Sequence, residues 1–306
     1  MKKYVDMLLE SMIKHDPSIL PLADEYAATE NSRPAALQFL NSWRTLTGVN
    51  GIQHLFADEA EGQVFFAANV DEHGMPSILY GRIRVEGGRF SEFELSLIRS
   101  ESDSGFIFAP DEMLLPPHSG WTSPIPDDGR ASREELMNVG LAIFDRSKGD
   151  YPAADNVPMM EVGGTVYENP DYITMAFGDD KVEKRPPKEK IPLFSAGLDA
   201  IRPEVPGARV TVIDEDQGVV VAFATVRGYT CAHPLNGTAT CFVPDNMMPA
   251  HEKTMVPEMF EGISRFRTTP AVLETVEIMR YHSGKIQASH RLMQMQGVGA
   301  CSPWER

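Results

Sequence analysis

Residues 57–70 read Ala-Asp-Glu-Ala-Glu-Gly-Gln-Val-Phe-Phe-Ala-Ala-Asn-Val, and residues 213–226 read Ile-Asp-Glu-Asp-Gln-Gly-Val-Val-Val-Ala-Phe-Ala-Thr-Val. The two stretches align without a gap at an offset of 156 residues, and Asp, Glu, Gly, Val, Ala and Val coincide at 6 of 14 positions. Each is a polar turn feeding an apolar strand. A chain of 306 residues is long for one core and suits two units of about 150. The pair therefore marks an internal duplication.

Upstream of the first copy, Val5, Leu8, Leu9, Met12 and Ile13 recur at helical spacing. Asp16-Pro17 opens a second short helical stretch. Residues 23–30 read as a short strand, and residues 34–43, with Leu37, Phe39, Leu40 and Trp43 apolar, as a helix. From Ile52 the pattern changes to four strands, 52–57, 63–70, 77–85 and 89–100, with turns at Asp71-Glu72-His73-Gly74 and Glu86-Gly87-Gly88. Helices followed by an antiparallel meander predict an α+β unit.

Residues 101–131 hold five prolines and read as an irregular connection. Ser132-Arg133-Glu134-Glu135 is a capping box that starts a helix running to about Arg146. The order then repeats. Val166-Tyr167-Glu168-Asn169-Pro170 echoes Ala28-Thr29-Glu30-Asn31, and residues 209–226 carry the paired strand signal. Residues 270–282 and 285–296, hinged at Ser283-Gly284, echo 76–85 and 89–100. The predicted division is a first unit over 1–110, a linker over 111–131 and a second unit over 132–306. The second unit carries an insertion around 227–269 with Cys231, His233, Cys241, Met247, Met248 and His251. Such an insertion reads either as a lid or binding loop or as a plain surface excursion.

A net charge of −16 and a pI near 4.9 make the surface acidic, which disfavours nucleic acid and anionic membranes. Three cysteines without metal-ligand spacing argue against a disulfide framework, although a Cys231–Cys241 bridge stays open. The N-terminus lacks a long apolar run and no stretch reaches the about 18 apolar residues of a membrane span, so a cytoplasmic location is expected. No phosphate-binding glycine pattern and no nucleophile elbow occur, so no cofactor is expected; close metal-ligand spacing is missing as well, and no metal is expected.

The order of Leu20-Pro21-Leu22-Ala23 with Glu30-Asn31, Phe56-Ala57-Asp58 with Gly62-Gln63-Val64, Phe108-Ala109-Pro110, Ser132-Arg133-Glu134-Glu135-Leu136 and Ser302-Pro303-Trp304 resembles the nuclear transport factor 2-like superfamily. That group includes ketosteroid isomerase, scytalone dehydratase, SnoaL-type cyclases and lignin-dimer lyases, and tandem two-unit proteins are closer still. The resemblance implies two fused cone-shaped units, each a curved antiparallel sheet wrapped on helices around a mostly apolar pocket. It also implies cofactor-free acid–base chemistry or plain ligand binding, since the fold hosts both. In single-unit relatives two copies often pack sheet against sheet, so this chain is expected to be an internal pseudo-dimer working as a monomer, or else a homodimer.

His54, in Ile52-Gln53-His54-Leu55-Phe56, resembles the histidine of scytalone dehydratase that works on substrate protons; imidazole titrates near neutrality, as reversible proton transfer needs. The bland reading is a core histidine. The offset of 156 puts Val210 at the matching place in the second unit, so the pockets are expected to differ. Period two sets Tyr80, Arg82 and Arg84 on one strand face, where Arg and Tyr could steady a phenolate, or merely line a solvated or inter-unit face. Glu92 and Glu94 are expected on the face with Phe90, Glu94 as acid or base; aligning Gly88 with Gly284 places Ala288 and His290 there in the second unit. Tyr26 and Trp43 are expected to flank an aromatic ligand or to be packing, and Tyr167 and His290 complete the binding set. The expected function is a cofactor-independent lyase, of dehydration or retro-aldol deformylation type, on an aromatic or polycyclic small molecule such as a lignin-derived diarylpropane. The alternatives are an isomerase or cyclase using Glu94, and a non-catalytic small-molecule-binding protein.

Overall fold

The computed structural model describes residues 1–104, 108–154, 157, 159–165, 205–230, 242–245 and 269–305. Tyr167 with its surrounding echo, the 181–190 loop, and Cys231, His233, Cys241, Met247, Met248 and His251 lie outside the described residues.

The chain opens with α1 (Lys2–Ile13), whose Val5, Leu8, Leu9 and Met12 recur at i, i+3, i+4 and i+7 and are buried. There follow β1 (Leu22–Glu30), β2 (Arg33–Pro34), α2 (Asn41–Thr45), β3 (Gly48–Asp58), β4 (Gln63–Glu72), β5 (Met75–Glu86) and β6 (Arg89–Ile98). The helix expected over 34–43 is instead a strand end, a 3₁₀ turn at Leu37–Phe39 and the single-turn α2. The Glu30 carboxylate accepts the Asn41 and Ser42 N–H groups at 2.9 and 2.8 Å and so ties α2 to β1.

The connection to the second half is not irregular throughout. It holds α3 (Glu101–Ser104), a 3₁₀ turn at Pro110–Leu114, α4 (Ser119–Thr122) and a 3₁₀ turn at Asp127–Gly129. Helix α5 (Arg133–Ala142) starts at the expected cap, the Glu135 N–H donating to Ser132 Oγ at 3.2 Å, but ends before Arg146. Then come β7 (Met159–Glu161), β8 (Gly164–Thr165), β9 (Arg209–Asp214), β10 (Val219–Thr230), β11 (Phe242–Pro244), β12 (Thr269–His282) and β13 (Lys285–Gln296).

The first sheet runs β2-β1-β6-β5-β4-β3, with β1 parallel to β6 and the other pairs antiparallel. The second runs β8-β7-β13-β12-β10, β7 lies parallel to β13, and β9 and β11 both pair with β10. Strand for strand, β7, β8, β9, β10, β12 and β13 repeat the order and direction of β1 to β6. The repeat extends to irregularities. The register slips at Arg84/Val85 against β6 and at Arg280/Tyr281 against β13, the same place in both hairpins.

That slip corrects one expectation. Glu92 and Glu94 do not share a face with Phe90. Ser91 is the extra residue, so Phe90 turns to the helix side while Glu92 and Glu94 pair with Arg84 and Arg82. A second slip, at Val221/Ala222, makes Thr211 the extra residue of β9. Arg209 then pairs with Phe223 as His54 pairs with Ala67, and Phe223 is Ala67 advanced by the offset. The counterpart of His54 is therefore Arg209 and not Val210.

The first sheet buries its two faces differently. One packs on the helices: Leu8 and Met12 of α1 and Trp43 of α2 meet Phe66, Leu79, Phe90, Phe93 and Leu95. The other packs on the second sheet: Phe56, Phe65, Ile78 and Tyr80 meet Val212, Val221, Phe223, Val276 and Ile278. At the end of this interface sits the duplicated stretch. The Asp58 Oδ1 accepts the Glu61 N–H at 3.2 Å, and Asp214 Oδ1 accepts the Gln217 N–H at 3.0 Å, so both aspartates form their own turns. Their second oxygens cross over. Asp58 Oδ2 accepts the Ile213 N–H at 3.1 Å, and Asp214 Oδ2 accepts the Ala57 N–H at 3.0 Å. Residues 57 and 213 are themselves one offset apart, so the two bonds are mates about a pseudo-two-fold axis.

The matching glycines are dictated by the same turn. Gly62 and Gly218 have φ of 65° and 63°, and a Cβ on either would lie 2.5 Å from Val85 O or 2.8 Å from Tyr281 O. Those two residues in turn donate N–H to the Gly62 and Gly218 carbonyls at 2.8 and 2.7 Å. Gly62→Ala or Gly218→Ala should cost at least about 2 kcal/mol, from the left-handed backbone and the carbonyl clash together. Gly74→Ala and Gly284→Ala, where a Cβ meets open space, should cost about 1 kcal/mol. Urea unfolding of the four variants checks this, and equal costs in all four would contradict it.

Candidate functional site

His54 stands on β3 one residue beyond a bulge at Gln53, since Ile52 pairs with Ala68 and His54 with Ala67. The bulge re-aims the strand, so His54, Phe56 and Asp58 face the second sheet while Leu55 and Ala57 pack on the helix side. His54 is 4% exposed and His290 is 0% exposed. His54 Nε2 and His290 Nδ1 lie 2.9 Å apart, joining the two sheets.

The protons on this pair follow from one backbone group. The Gly163 N–H donates to His290 Nε2 at 3.3 Å. That nitrogen is therefore an acceptor, His290 carries its proton on Nδ1, and Nδ1–H donates to His54 Nε2. His54 in turn carries its proton on Nδ1, which has no protein partner among the described residues. Both rings are neutral. Burial pushes the His54 imidazole down to about 3, and burial, with His54 second, holds His290 well below its ordinary value.

His54 lines a cavity of about 420 Å3. Its ring lies 4.7 Å from the Trp121 ring of α4 and 5.4 Å from Phe56, which stacks on Trp121 at 6.1 Å. Leu115, Pro116 and Pro117 from the connection, Met160 from β7 and Gln217 from the second copy of the duplicated turn complete the apolar and polar walls. Glu112 and His118 also line it, and His118 Nδ1 accepts the Gly120 N–H at 3.0 Å. The site thus draws on the first sheet, the connection and the second sheet.

The other expected residues are elsewhere. Tyr80 is two strands from His54 on the same face, about 10 Å away at the usual strand spacing. It is 1% exposed and burial raises its phenol above the ordinary value, so it stays neutral. Arg82 and Glu94 are ion-paired, Arg82 Nε to Glu94 Oε2 at 2.7 Å, and Arg82 also binds Glu92 at 2.5 Å and lies 4.7 Å under the Trp304 ring. Arg209 of the second sheet takes the remaining Glu94 oxygen. These charges neutralise one another between the sheets and leave Arg82 no free fork for a phenolate. Tyr80 and Glu94 line a separate space of about 20 Å3 with Glu274, whose carboxyl is pushed up to about 6 by burial and then by Glu94 and Glu305.

Tyr26 and Trp43 are on the helix side of the first sheet, away from His54. Trp43 is 1% exposed, its Nε1–H donates to Ser11 Oγ at 2.9 Å, and it meets Phe93 edge-on at 6.1 Å. Tyr26 meets the same Phe93 at 6.0 Å. The interior expected to be a pocket is packed with aromatic rings there.

The sequence reading passed over Trp121, a lone aromatic among prolines, and a buried charged group on the helix side of the second sheet. There Arg291 Nε binds Glu277 at 2.5 Å and Nη1 lies 3.5 Å from Glu161. Aligning Gly88 with Gly284 reveals the signal: Gly81 and Leu95 of the first half become Glu277 and Arg291, and Phe66 becomes Ala222 at the offset of 156. Among the described residues no cluster of His, Cys, Asp and Glu could hold a metal ion, and no helix is long and apolar enough to cross a membrane.

No protein-family description matches the chain, and no curated protein matches it. Among solved structures, an NTF2-like (nuclear transport factor 2-like) protein of unknown function from Cytophaga hutchinsonii is similar over 33% of this chain and 89% of its own, at 10% identity and a TM-score of 0.26. The fold itself is a mixed α and β one, with two sheets and few helices.

The neutral pair gives the protein an acid sensitivity of known sign. The unfolded chain takes up protons on histidine below about pH 6.5, whereas folded His54 does so only near 3. Stability is full above about pH 6.5 and falls as the pH drops through that window. Going from about pH 7 to about pH 5 should remove about 2 kcal/mol through His54 alone. Urea unfolding at both pH values should show a shallower loss in a His54→Phe/His290→Leu variant, and an unchanged slope would contradict the neutral assignment.

Proposed function

We propose that the chain is two nuclear transport factor 2-like units in one polypeptide, over 1–110 and 132–306, working as a monomer whose sheets pack as two subunits would. We propose further that it binds a small planar aromatic molecule beside His54. The cavity carries this reading. Its volume of about 420 Å3 falls within the about 300–1,000 Å3 usual for small-ligand sites. Trp121, Phe56 and the His54 ring offer flat faces, and Gln53, Glu112, His118 and Gln217 set polar groups around them. The repeated topology, with its repeated hairpin slip and crossed aspartate bonds, supports the two-unit division.

A proton-moving role for His54 has less support, because its acceptor nitrogen is already used by His290 and its basicity is lowered by burial. A cofactor-independent lyase is nevertheless the second reading, and one observation favours it: Glu112 and His118 line the same cavity, a carboxyl and an imidazole of the kinds that acid–base elimination uses.

The two readings part on product. Acetophenone titrated against the protein should quench tryptophan fluorescence saturably. Thr122→Trp, at an exposed position on the cavity wall, should weaken that binding at least about tenfold by blocking the mouth. Incubation with aromatic β-hydroxy ketones and diarylpropanes, followed by mass spectrometry, should leave them unchanged if binding is the function. Turnover lost in His118→Gln but kept in His54→Gln would establish the lyase reading instead, and no saturable binding of any of these compounds would overturn both.

A further inference from the structure

The His54–His290 contact has a consequence for what the cavity selects, and it rests on the binding reading above. A buried histidine can present either a lone pair or an N–H to its surroundings, and its other nitrogen decides which. Here the decision is made two hydrogen bonds away. The Gly163 N–H fixes the acceptor nitrogen of His290 at 3.3 Å, His290 Nδ1–H then donates across 2.9 Å, and His54 is left with its proton on Nδ1. No carboxylate or other charged side chain enters this chain of bonds, and both rings are at most 4% exposed. The arrangement cannot reverse without leaving the Gly163 N–H and a ring nitrogen unpaired in the interior, which costs about 1–3 kcal/mol.

We propose that His290 is a positioning residue that locks His54 as a hydrogen-bond donor, so that the cavity selects aromatic ligands bearing an acceptor such as a ketone, aldehyde or phenolate oxygen. The flat faces of Trp121 and Phe56 set the ring plane, and His54 Nδ1–H supplies a directional contact beside the Trp121 Nε1–H. An aryl ring of the same shape without an acceptor would fill the same space and leave that N–H unpaired. The rest of the interface points the same way. At the counterpart positions stand Arg209 of the second unit and Glu94 of the first, an ion pair that satisfies itself and needs no tautomer. The histidine end of the interface keeps a donor without a protein acceptor among the described residues, His54 Nδ1–H, beside the likewise unpaired Trp121 Nε1–H.

Two measurements on the full chain test this separately. Long-range ¹H–¹⁵N correlation spectra of the ligand-free protein report the tautomer directly. His54 should show a protonated Nδ1 and an unprotonated Nε2, and His290→Leu should shift His54 towards the Nε2–H form. His290→Gln, whose amide N–H can still donate to Nε2, should restore the original pattern. A protonated His54 Nε2 in the wild type, or a pattern indifferent to His290→Leu, overturns the proposal. The second measurement compares acetophenone with α-methylstyrene, in which a =CH2 group replaces the oxygen in the same planar shape. Wild type and His290→Gln should prefer acetophenone about fivefold to tenfold, and His290→Leu less than about twofold. An equal preference in all three proteins also overturns it. If neither compound binds wild type, the binding reading fails on its own, while the spectra still decide whether His290 sets the tautomer.

Discussion

Two carboxylates hold the halves of this chain in register. Asp58 and Asp214 are 2% and 7% exposed, and each must satisfy its oxygens inside the protein. Each does so by closing its own turn and by taking a backbone N–H from the opposite sheet. Arg133 adds a two-pronged contact to Asp58 at 3.1 and 2.6 Å, and the Gln217 amide reaches Asp214 at 2.7 Å. A sheet-to-sheet interface of apolar side chains alone would tolerate sliding, because burial is not directional. The crossed bonds remove that freedom. They also fix what lies upstream on the same two strands, where His54 of β3 is brought to His290 of β13 and Arg209 of β9 to Glu94 of β6.

Those two contacts sit at matching register positions of the two sheets. His54 and Arg209 occupy matching places on matching strands, as do His290 and Glu94. One is an ion pair whose charges cancel, and the other is a neutral imidazole pair with a hydrogen-bond donor left over. The helix-side faces diverged as well. The first sheet fills that side with Phe66, Phe93 and Leu95, whereas the second has Ala222, Ser289 and Arg291 at the same register. The Asp-Gly turn and the hairpin slip are alike in the two sheets; the polar groups between them are not.

How much of this was legible varies with the range of the interaction. Helix α1, the meander, the helix cap at Ser132 and the turns at Gly74 and Gly88 were readable, because each depends on residues within a few positions. The two turns that hold Asp58 and Asp214 were readable too, each as a polar stretch feeding an apolar strand. The bulges at Gln53, Ser91 and Thr211 were not. An extra residue in a strand leaves no mark on composition, yet it flips every side chain beyond it. That single effect put Phe90 on the wrong face and named Val210 where Arg209 stands. The meeting of His54 with His290 spans 236 residues, and nothing local encodes it. Trp121 was hidden differently, in a proline-rich connection that reads as a linker yet packs on His54.

The central claim, that the crossed aspartate bonds join the two sheets as a coupled pair, is best tested by a double-mutant cycle on stability. Asp58→Ala and Asp214→Ala should each cost about 3 kcal/mol, by stranding buried N–H groups and opening the turn. Because both loosen the same interface, the double variant should lose at least about 1 kcal/mol less than the sum. Additive costs, or single costs below about 0.5 kcal/mol, would contradict the account and reduce the aspartates to independent turn formers.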